Sequence, residues 1–166
     1  MNHRPPPIKI RDFRSGDEPT LREVFFTSIR NLAAGEYNLD QLTAWAPESY
    51  DSGLWANRMQ VLHPFVAEWE GRVAGYADLQ ESGYIDHFYV HGACARRGVG
   101  AALMEHLHRV ATERRTQELF SDVSLTAEGF FQRHGFVVER RNVVTLRGMV
   151  LNNARMRKQI LSGAAV

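Results

Sequence analysis

Residues 90–104 read VHGACARRGVGAALM, and this stretch decides the fold. Two of its glycines, Gly98 and Gly100, follow Arg96 and Arg97 and precede a run with helical apolar spacing. A helix N-terminus carries unpaired N–H groups and partial positive charge. Glycine lets the backbone approach a ligand closely, and arginine adds full charge and donors. The stretch therefore predicts a phosphate or pyrophosphate site at the start of a helix.

Two common phosphate-binding patterns are absent from this turn. A dinucleotide fingerprint requires Gly or Ala three residues after the second glycine, where this chain has Leu103, and a Walker loop requires Gly-Lys-Ser/Thr. A Gly-x-Gly pair alone is also common where an ordinary loop enters a helix, so the neighbouring segments must decide. A strand pattern over residues 84–90 precedes the turn, and AEGFFQRHGFV follows at residues 127–137.

Those segments, in this order, resemble the acyl-CoA-binding motifs of the GCN5-related N-acetyltransferases, the GNAT family, of the small bacterial type. The family's Gln/Arg-x-x-Gly-x-Gly/Ala turn is similar to residues 96–104, and its Ala-x-x-Phe-Tyr-x-x-x-Gly-Phe segment is similar to residues 127–136. The similarity is close over residues 64–138. It implies one GNAT domain over residues 1–166 with an α/β (α+β mixed) fold. The expected sheet is mixed, mostly antiparallel and six- to seven-stranded, with helices on both faces.

The resemblance implies direct transfer of an acetyl group from acetyl-CoA, the cosubstrate, to an amine. A main-chain N–H of the strand before the turn is expected to stabilise the thioester oxygen. The residues expected to bind the cofactor lie on that strand, in the turn and around the later helix: Phe88, Tyr89, Val90, Arg96, Arg97, Gly98, Val99, Gly100, Ala101, Ser124, Phe130, Phe131 and Arg133. Two alternatives remain open, a non-catalytic acyl-CoA-binding sensor or interaction module and transfer of another acyl group.

Three positions depart from the family pattern. Ala95 replaces the Gln/Arg that opens the turn, Ser124 replaces a frequent Asn, and Phe131 replaces the tyrosine that usually protonates the thiolate. Phenylalanine has no proton to donate. An alkyl thiol has a pKa of roughly 8.5, so its thiolate leaves tolerably near neutral pH. Water, Tyr89 or another tyrosine then protonates it, or the step runs unassisted; Tyr89 is the catalytic candidate.

Asp86 is the first choice for the general base that deprotonates the amine. Strand alternation places it on one face with Tyr84, Phe88 and Val90, about 7 Å from the expected acetyl position. The simpler interpretation of Asp86 is an ion pair with a neighbouring cation. Other carboxylates that remain candidates for the base are Glu68, Asp78 and Glu81.

Aromatic residues cluster after the first helix, where this family builds its acceptor site. They either form an apolar wall for the acceptor or pack the helices together. The residues expected to bind the acceptor are Tyr37, Trp45 and Tyr84. The histidines lack the spacing of known metal ligands, so no metal is expected.

Composition fits a small globular enzyme. The 166 residues are 44% hydrophobic and 23% charged, and the net charge of +1 gives no case for nucleic acid or membrane binding. No apolar run has membrane-spanning length, and a single cysteine, Cys94, fits the cytoplasm. Residues 1–7 are expected to form a flexible lead-in. The expected partner is a small-molecule or peptide amine, and the chain is expected to be a monomer or homodimer.

Periodicity also predicts the order of elements. A Thr20–Glu23 capping box is expected to begin the first helix, Asn38 or Asp40 the second, and Thr126 a short helix that Gly135 ends. The predicted strands are 8–11, 64–69, 73–79, 84–90, 119–124, 137–146 and 149–156, and the longer predicted helices cover 21–32, 52–62 and the residues after 98.

Overall fold

The computed structural model describes residues 6–160. Most of the predicted lead-in, residues 1–5, lies outside the described residues, and Pro6 and Pro7 are exposed without regular structure. The elements in chain order are β1 (Lys9–Asp12), α1 (Glu18–Thr27) with a π-helical turn (Ser28–Leu32), α2 (Leu39–Trp45), α3 (Ser52–Leu62), β2 (Phe65–Trp69), β3 (Arg72–Ala77), β4 (Phe88–Val90), a 3₁₀ turn (Gly92–Cys94), α4 (Val99–Glu113), β5 (Glu118–Ser124), α5 (Glu128–Arg133), β6 (Val137–Leu146) and β7 (Met149–Gln159).

The strands form two antiparallel sheets, ordered β1-β2-β3-β4 and β5-β7-β6. A single parallel bridge between Tyr84 and Phe120 joins them, and the Ile85 N–H donates to the Phe120 carbonyl at 2.9 Å. Beyond this bridge β4 pairs with β3 and β5 pairs with β7, so a gap opens between β4 and β5. The predicted GNAT-type mixed sheet is therefore confirmed, with its parallel part reduced to one bridge.

Helices cover both faces of the four-stranded sheet, as predicted. On one face α4 buries Val99, Leu103 and Leu107, and on the other α1 buries Leu21 and Val24. The contact with α4 is close because β3 carries a glycine there. A Cβ on Gly75 would lie 3.0 Å from Val99 Cγ1.

The predicted strand over residues 84–90 is wrong in its first half, since only Phe88–Val90 is regular. The carboxylate of Asp78 explains the difference. Its Oδ1 accepts the backbone N–H groups of Asp86 and His87 at 2.8 and 2.7 Å, so it replaces the carbonyl that a neighbouring strand supplies.

Helix starts match the sequence predictions only in part. Asn38 and Gln41 form the capping box of α2, and Gly135, with φ of 90°, follows the end of α5 as predicted. The Thr20–Glu23 box is wrong, because α1 begins three residues earlier, after Asp17. Thr126 is not a cap, because its hydroxyl donates to the Glu36 carboxylate at 2.8 Å.

None of the helices described is long and apolar enough to cross a membrane.

Candidate functional site

The gap between β4 and β5 encloses a cavity of about 230 Å³, called the gap cavity below. Six segments form its walls: the π-helical turn, the end of α2, β4 with the residues before it, the first turn of α4, β5, and α5 with the residues before it. The lining residues are Ser28, Ile29, Leu32, Ala33, Trp45, Asp86, Phe88, Tyr89, Val90, Gly100, Ser121, Asp122, Val123, Ser124, Thr126, Ala127, Phe130 and Phe131. Nine of the predicted site residues are therefore brought together here.

One wall of the gap cavity is aromatic. The ring of Phe131, 2% exposed, packs against Phe88 and Phe136 at centroid distances of 5.6 and 4.9 Å. Gly100 gives Phe130 its space, because a Cβ on Gly100 would lie 3.3 Å from that ring.

The predicted anion site lies at the start of α4. Gly98 is the N-cap with φ of 84°, a conformation that favours glycine, and no side-chain hydrogen bond caps the helix. The N–H groups of the first helical turn, residues 99–101, are thus left for an anion. Arg96, with φ of 58°, and Arg97 are exposed beside them. The Arg97 guanidinium lies over the Trp69 ring, 5.5 Å from its centroid.

Asp86 lines the gap cavity and forms an ion pair with Arg58 of α3. Its side chain is 20% exposed, and that of Arg58 is 54% exposed. Asp86 therefore forms the ion pair that the simpler interpretation predicts, and it also lines the cavity; its role as the general base stays a prediction. An exposed arginine can move aside when a cationic ligand approaches.

Asp78, an alternative base, is fully buried behind this wall and lines neither the gap cavity nor the second cavity described next. Burial raises the pKa of its carboxyl to about 6, while its bonds from the backbone N–H groups of His87 and Asp86 oppose the rise. This carboxyl therefore fixes the segment before β4 rather than meeting a substrate.

A second cavity of about 140 Å³ lies between α2, β5 and the β6–β7 hairpin, and it is called the acceptor cavity below after the role that we propose for it. Tyr37, Trp45 and Tyr89 form its aromatic walls. The remaining lining residues are Asp122, Ser124, Val144, Leu146, Leu151, Asn152 and Asn153. Four residues line both cavities, so the two meet: Trp45, Tyr89, Asp122 and Ser124.

Tyr89 lies at this junction, with its ring 6.5 Å from that of Trp45 and 4.9 Å from that of Phe25. Burial raises the pKa of its phenol well above the usual range, and Trp45 offsets part of that rise. Such a phenol keeps its proton at neutral pH and is a weak acid. Burial also lowers the pKa of the neighbouring His87 to about 4, and its Nδ1 lies 2.9 Å from the Tyr76 hydroxyl.

Some predicted site residues lie elsewhere. Tyr84 stacks on Phe120 at 5.3 Å and lines neither cavity. Arg133 is exposed on α5 near Gly129 and also lies outside the cavity walls. Tyr37 is buried, where its hydroxyl donates to the Asn152 carbonyl at 2.6 Å. Tyr37 thus packs against its neighbours and lines the second cavity, while its contact with an acceptor stays a prediction.

Sequence reasoning missed Asp122 and the π-helical turn. Asp122 pairs with Arg155 and faces both cavities, which strand alternation from Ser124 would have indicated. The π-helical turn supplies Ile29 and Leu32 to the gap cavity. No sequence signal marks that turn, although such turns are frequent at functional sites. The described residues hold no group of three or more His, Cys, Asp or Glu placed for a metal ion.

Comparison with known proteins agrees with this architecture. Residues 33–159 match the acetyltransferase (GNAT) domain family. The uncharacterized N-acetyltransferase YafP of Escherichia coli K12 is 31% identical over 150 residues, 90% of this chain and 95% of YafP. A GCN5-related N-acetyltransferase from Rhodopseudomonas palustris has a TM-score of 0.87 and 31% identity, covering 96% of this chain and 98% of that one.

A more distant structure carries a bound ligand. It is the PaiA N-acetyltransferase from Thermoplasma acidophilum in complex with coenzyme A, with a TM-score of 0.71 and 20% identity over 92% of this chain and 99% of that one. At this identity the likeness concerns the fold. The family match and the 31% identity to YafP show that this protein belongs to the GNAT acetyltransferase family, as its turn and the segment at residues 127–136 indicate.

Proposed function

We propose that this protein transfers an acetyl group from acetyl-CoA to the amine of a small molecule. One observation carries the proposal: the uncapped start of α4 opens onto an apolar gap cavity that joins a second, partly polar cavity. The first can hold the donor and the second the acceptor, so the two reactants meet at the junction. The single cysteine, Cys94, favours the cytoplasm as its location.

The donor would lie along the gap with its pyrophosphate on the N–H groups of residues 99–101. Backbone pairing supports a choice of the N–H groups that would stabilise the thioester oxygen. The His87 carbonyl accepts a hydrogen bond from the Asp78 N–H, and the His91 N–H donates to the Ala74 carbonyl, so both residues direct their backbone groups toward β3. Strand alternation then points the N–H groups of Phe88 and Val90 into the gap. A backbone N–H fixed in the gap would donate a hydrogen bond to the oxyanion that develops when the amine attacks, and so stabilise it.

Asp86 is proposed as the base that removes the proton of the ammonium, directly or through water. Its place on the gap cavity wall supports this, and the exposed Arg58 side chain would yield to the incoming cation. Asp86→Asn should therefore lower kcat by about a hundredfold. An unchanged kcat would remove Asp86 from the mechanism. Arg58→Gln, which keeps Asp86, is the control.

The acceptor cavity favours a compact amine. Its volume of about 140 Å³ is similar to the roughly 150 Å³ cavity that holds benzene in another protein. Its aromatic walls suit an apolar group, while the Asp122 carboxylate lies where an ammonium would approach the donor. A long polyamine or a folded protein terminus fits this cavity less well. Association of the chain, as monomer or homodimer, stays a prediction.

Release of free thiol from acetyl-CoA, measured with a panel of primary amines, tests the proposal. We expect turnover with compact apolar amines and little with polyamines or peptides. Tight acetyl-CoA binding without turnover on any amine would favour the acyl-CoA sensor instead. Faster turnover with propionyl-CoA would favour transfer of another acyl group.

A further inference from the structure

Three arginines converge on the end of α2 from distant parts of the chain. Arg147 of the β6–β7 turn donates to the Ala44 carbonyl at 2.6 Å, and Arg30 of the π-helical turn donates to the Ala46 carbonyl at 2.9 Å. Arg22 of α1 donates to the Pro47 carbonyl. These three residues are called the arginine clamp below.

The clamp matches the electrostatics of a helix C-terminus. The last carbonyls of a helix lack intrahelical partners and carry partial negative charge, which cations satisfy. None of the clamp arginines forms an ion pair with a carboxylate among residues 6–160. Their polar contacts are therefore directed at this one stretch of backbone.

Aromatic rings fix two of the three clamp arginines in place. The Arg22 guanidinium is buried, and it lies 4.3 Å from the ring centroid of Tyr50, 5.0 Å from that of Phe25 and 5.4 Å from that of Trp55. Arg30 lies 5.0 Å from the Phe26 ring. Cation–π contacts of this kind hold a guanidinium without a carboxylate.

The residue between the clamped carbonyls is Trp45, which lines both cavities. α2 has only seven residues, and a helix so short has little stability of its own in water. At its other end the Gln41 side chain donates to the Val150 carbonyl at 2.9 Å. The orientation of the Trp45 ring therefore depends on contacts at both ends of α2.

We propose that Arg22, Arg30 and Arg147 are positioning residues, which hold the end of α2 so that Trp45 closes the acceptor cavity. The effect on acceptor binding rests on the proposed function, whereas the positioning of Trp45 does not. The clamp acts on the acceptor side, because Arg147 belongs to the turn of the β6–β7 hairpin, which lines the acceptor cavity and not the gap cavity. Weakening it should change acceptor binding and leave donor binding intact.

Arg147→Ala tests the clamp at its exposed end, where the fold tolerates change. Arg140→Ala is the matched control, an exposed arginine of the same hairpin that bonds to the Asn142 side chain. The first readout is the indole N–H signal of Trp45 in two-dimensional NMR, assigned with Trp45→Phe. We expect this signal to shift or broaden in Arg147→Ala, to recover in Arg147→Lys, and to stay in place in Arg140→Ala. An unchanged signal in Arg147→Ala overturns the proposal.

The second readout is kinetic and uses the best amine of the thiol-release panel. We expect Arg147→Ala to raise the acceptor KM by about fivefold with the acetyl-CoA KM unchanged. A shifted indole signal with an unchanged acceptor KM overturns the role of the clamp in acceptor binding. If no amine is acetylated, the proposed function fails, while the indole signal still decides whether the clamp positions Trp45.

Discussion

The gap cavity and the acceptor cavity meet at four residues yet are built in different ways. The gap cavity is shaped mainly by backbone: the splayed strands β4 and β5, Gly100 beneath the Phe130 ring, and the N–H groups at the start of α4. The acceptor cavity is made by side chains from α2, β5 and the β6–β7 hairpin. A site built from backbone suits a ligand that stays the same across relatives, whereas a site built from side chains allows the acceptor to differ between relatives that share one fold.

Filling the gap cavity should give the largest effect. A Cβ at Gly100 meets the Phe130 ring at 3.3 Å, so Gly100→Val places methyl groups where the donor would lie. We expect its acetyl-CoA Kd to rise by about a hundredfold, which equals about 2.8 kcal/mol. Gly35→Val is the matched control, because nothing lies within 4 Å of a Cβ there. Equal affinity of both variants in calorimetry would refute the gap cavity as the donor site.

The next effect concerns Asp78, behind the wall that both cavities use. Burial raises its pKa to about 6, so the folded protein binds this proton more tightly than the unfolded chain does. Stability from this group is therefore highest below pH 4 and falls as the pH rises to about 6. Asp78→Asn keeps an oxygen for the N–H groups of Asp86 and His87 but cannot ionise.

Urea unfolding at pH 4.5 and 7.5 measures this effect. Relative to Asp78→Asn, the wild type should lose about 2 kcal/mol between these pH values. The exposed Asp40→Asn should follow the wild type. A difference between the wild type and Asp78→Asn that does not change with pH would contradict the raised pKa.

Truncation of Trp45 should separate the two cavities. Trp45→Ala removes an acceptor wall and touches the gap cavity only at the junction. We expect the acceptor KM to rise about tenfold, or about 1.4 kcal/mol, with an acetyl-CoA Kd within about threefold of the wild type. Leu39→Ala, an exposed position of the same helix, is the control. An unchanged acceptor KM would show that the ring serves packing alone.

Tyr89→Phe should give the smallest effect. Because burial raises the pKa of this phenol, it is a weak proton donor for a departing thiolate. We expect kcat to change by less than about threefold, whereas loss of a general acid costs about a hundredfold or more. A large fall in kcat, with acetyl-CoA affinity kept, would make Tyr89 the acid.

The start of α4 and the segment at residues 127–136 could be predicted from the sequence because their determinants are local. Gly98 and Gly100 lie within three residues of sequence where α4 begins, and residues 127–136 carry their own sequence pattern. The capping box of Asn38 is local in the same sense. Each depends on backbone conformations that nearby residues decide.

The acceptor side was less predictable because long-range contacts build it. Arg147 reaches a carbonyl 103 residues earlier, and Asp78 replaces the strand partner expected for residues 84–87. That replacement accompanies Tyr84 stacking on Phe120 rather than lining the acceptor cavity. Periodicity reports which face of an element is buried and not which distant side chain meets it.

Calorimetric titration of acetyl-CoA into the wild-type protein tests the central claim most directly. The claim is that the start of α4 and the gap cavity form a donor site. We predict saturable binding of one molecule per chain with a Kd in the micromolar range. Absence of saturable binding to the folded wild-type protein would contradict the claim.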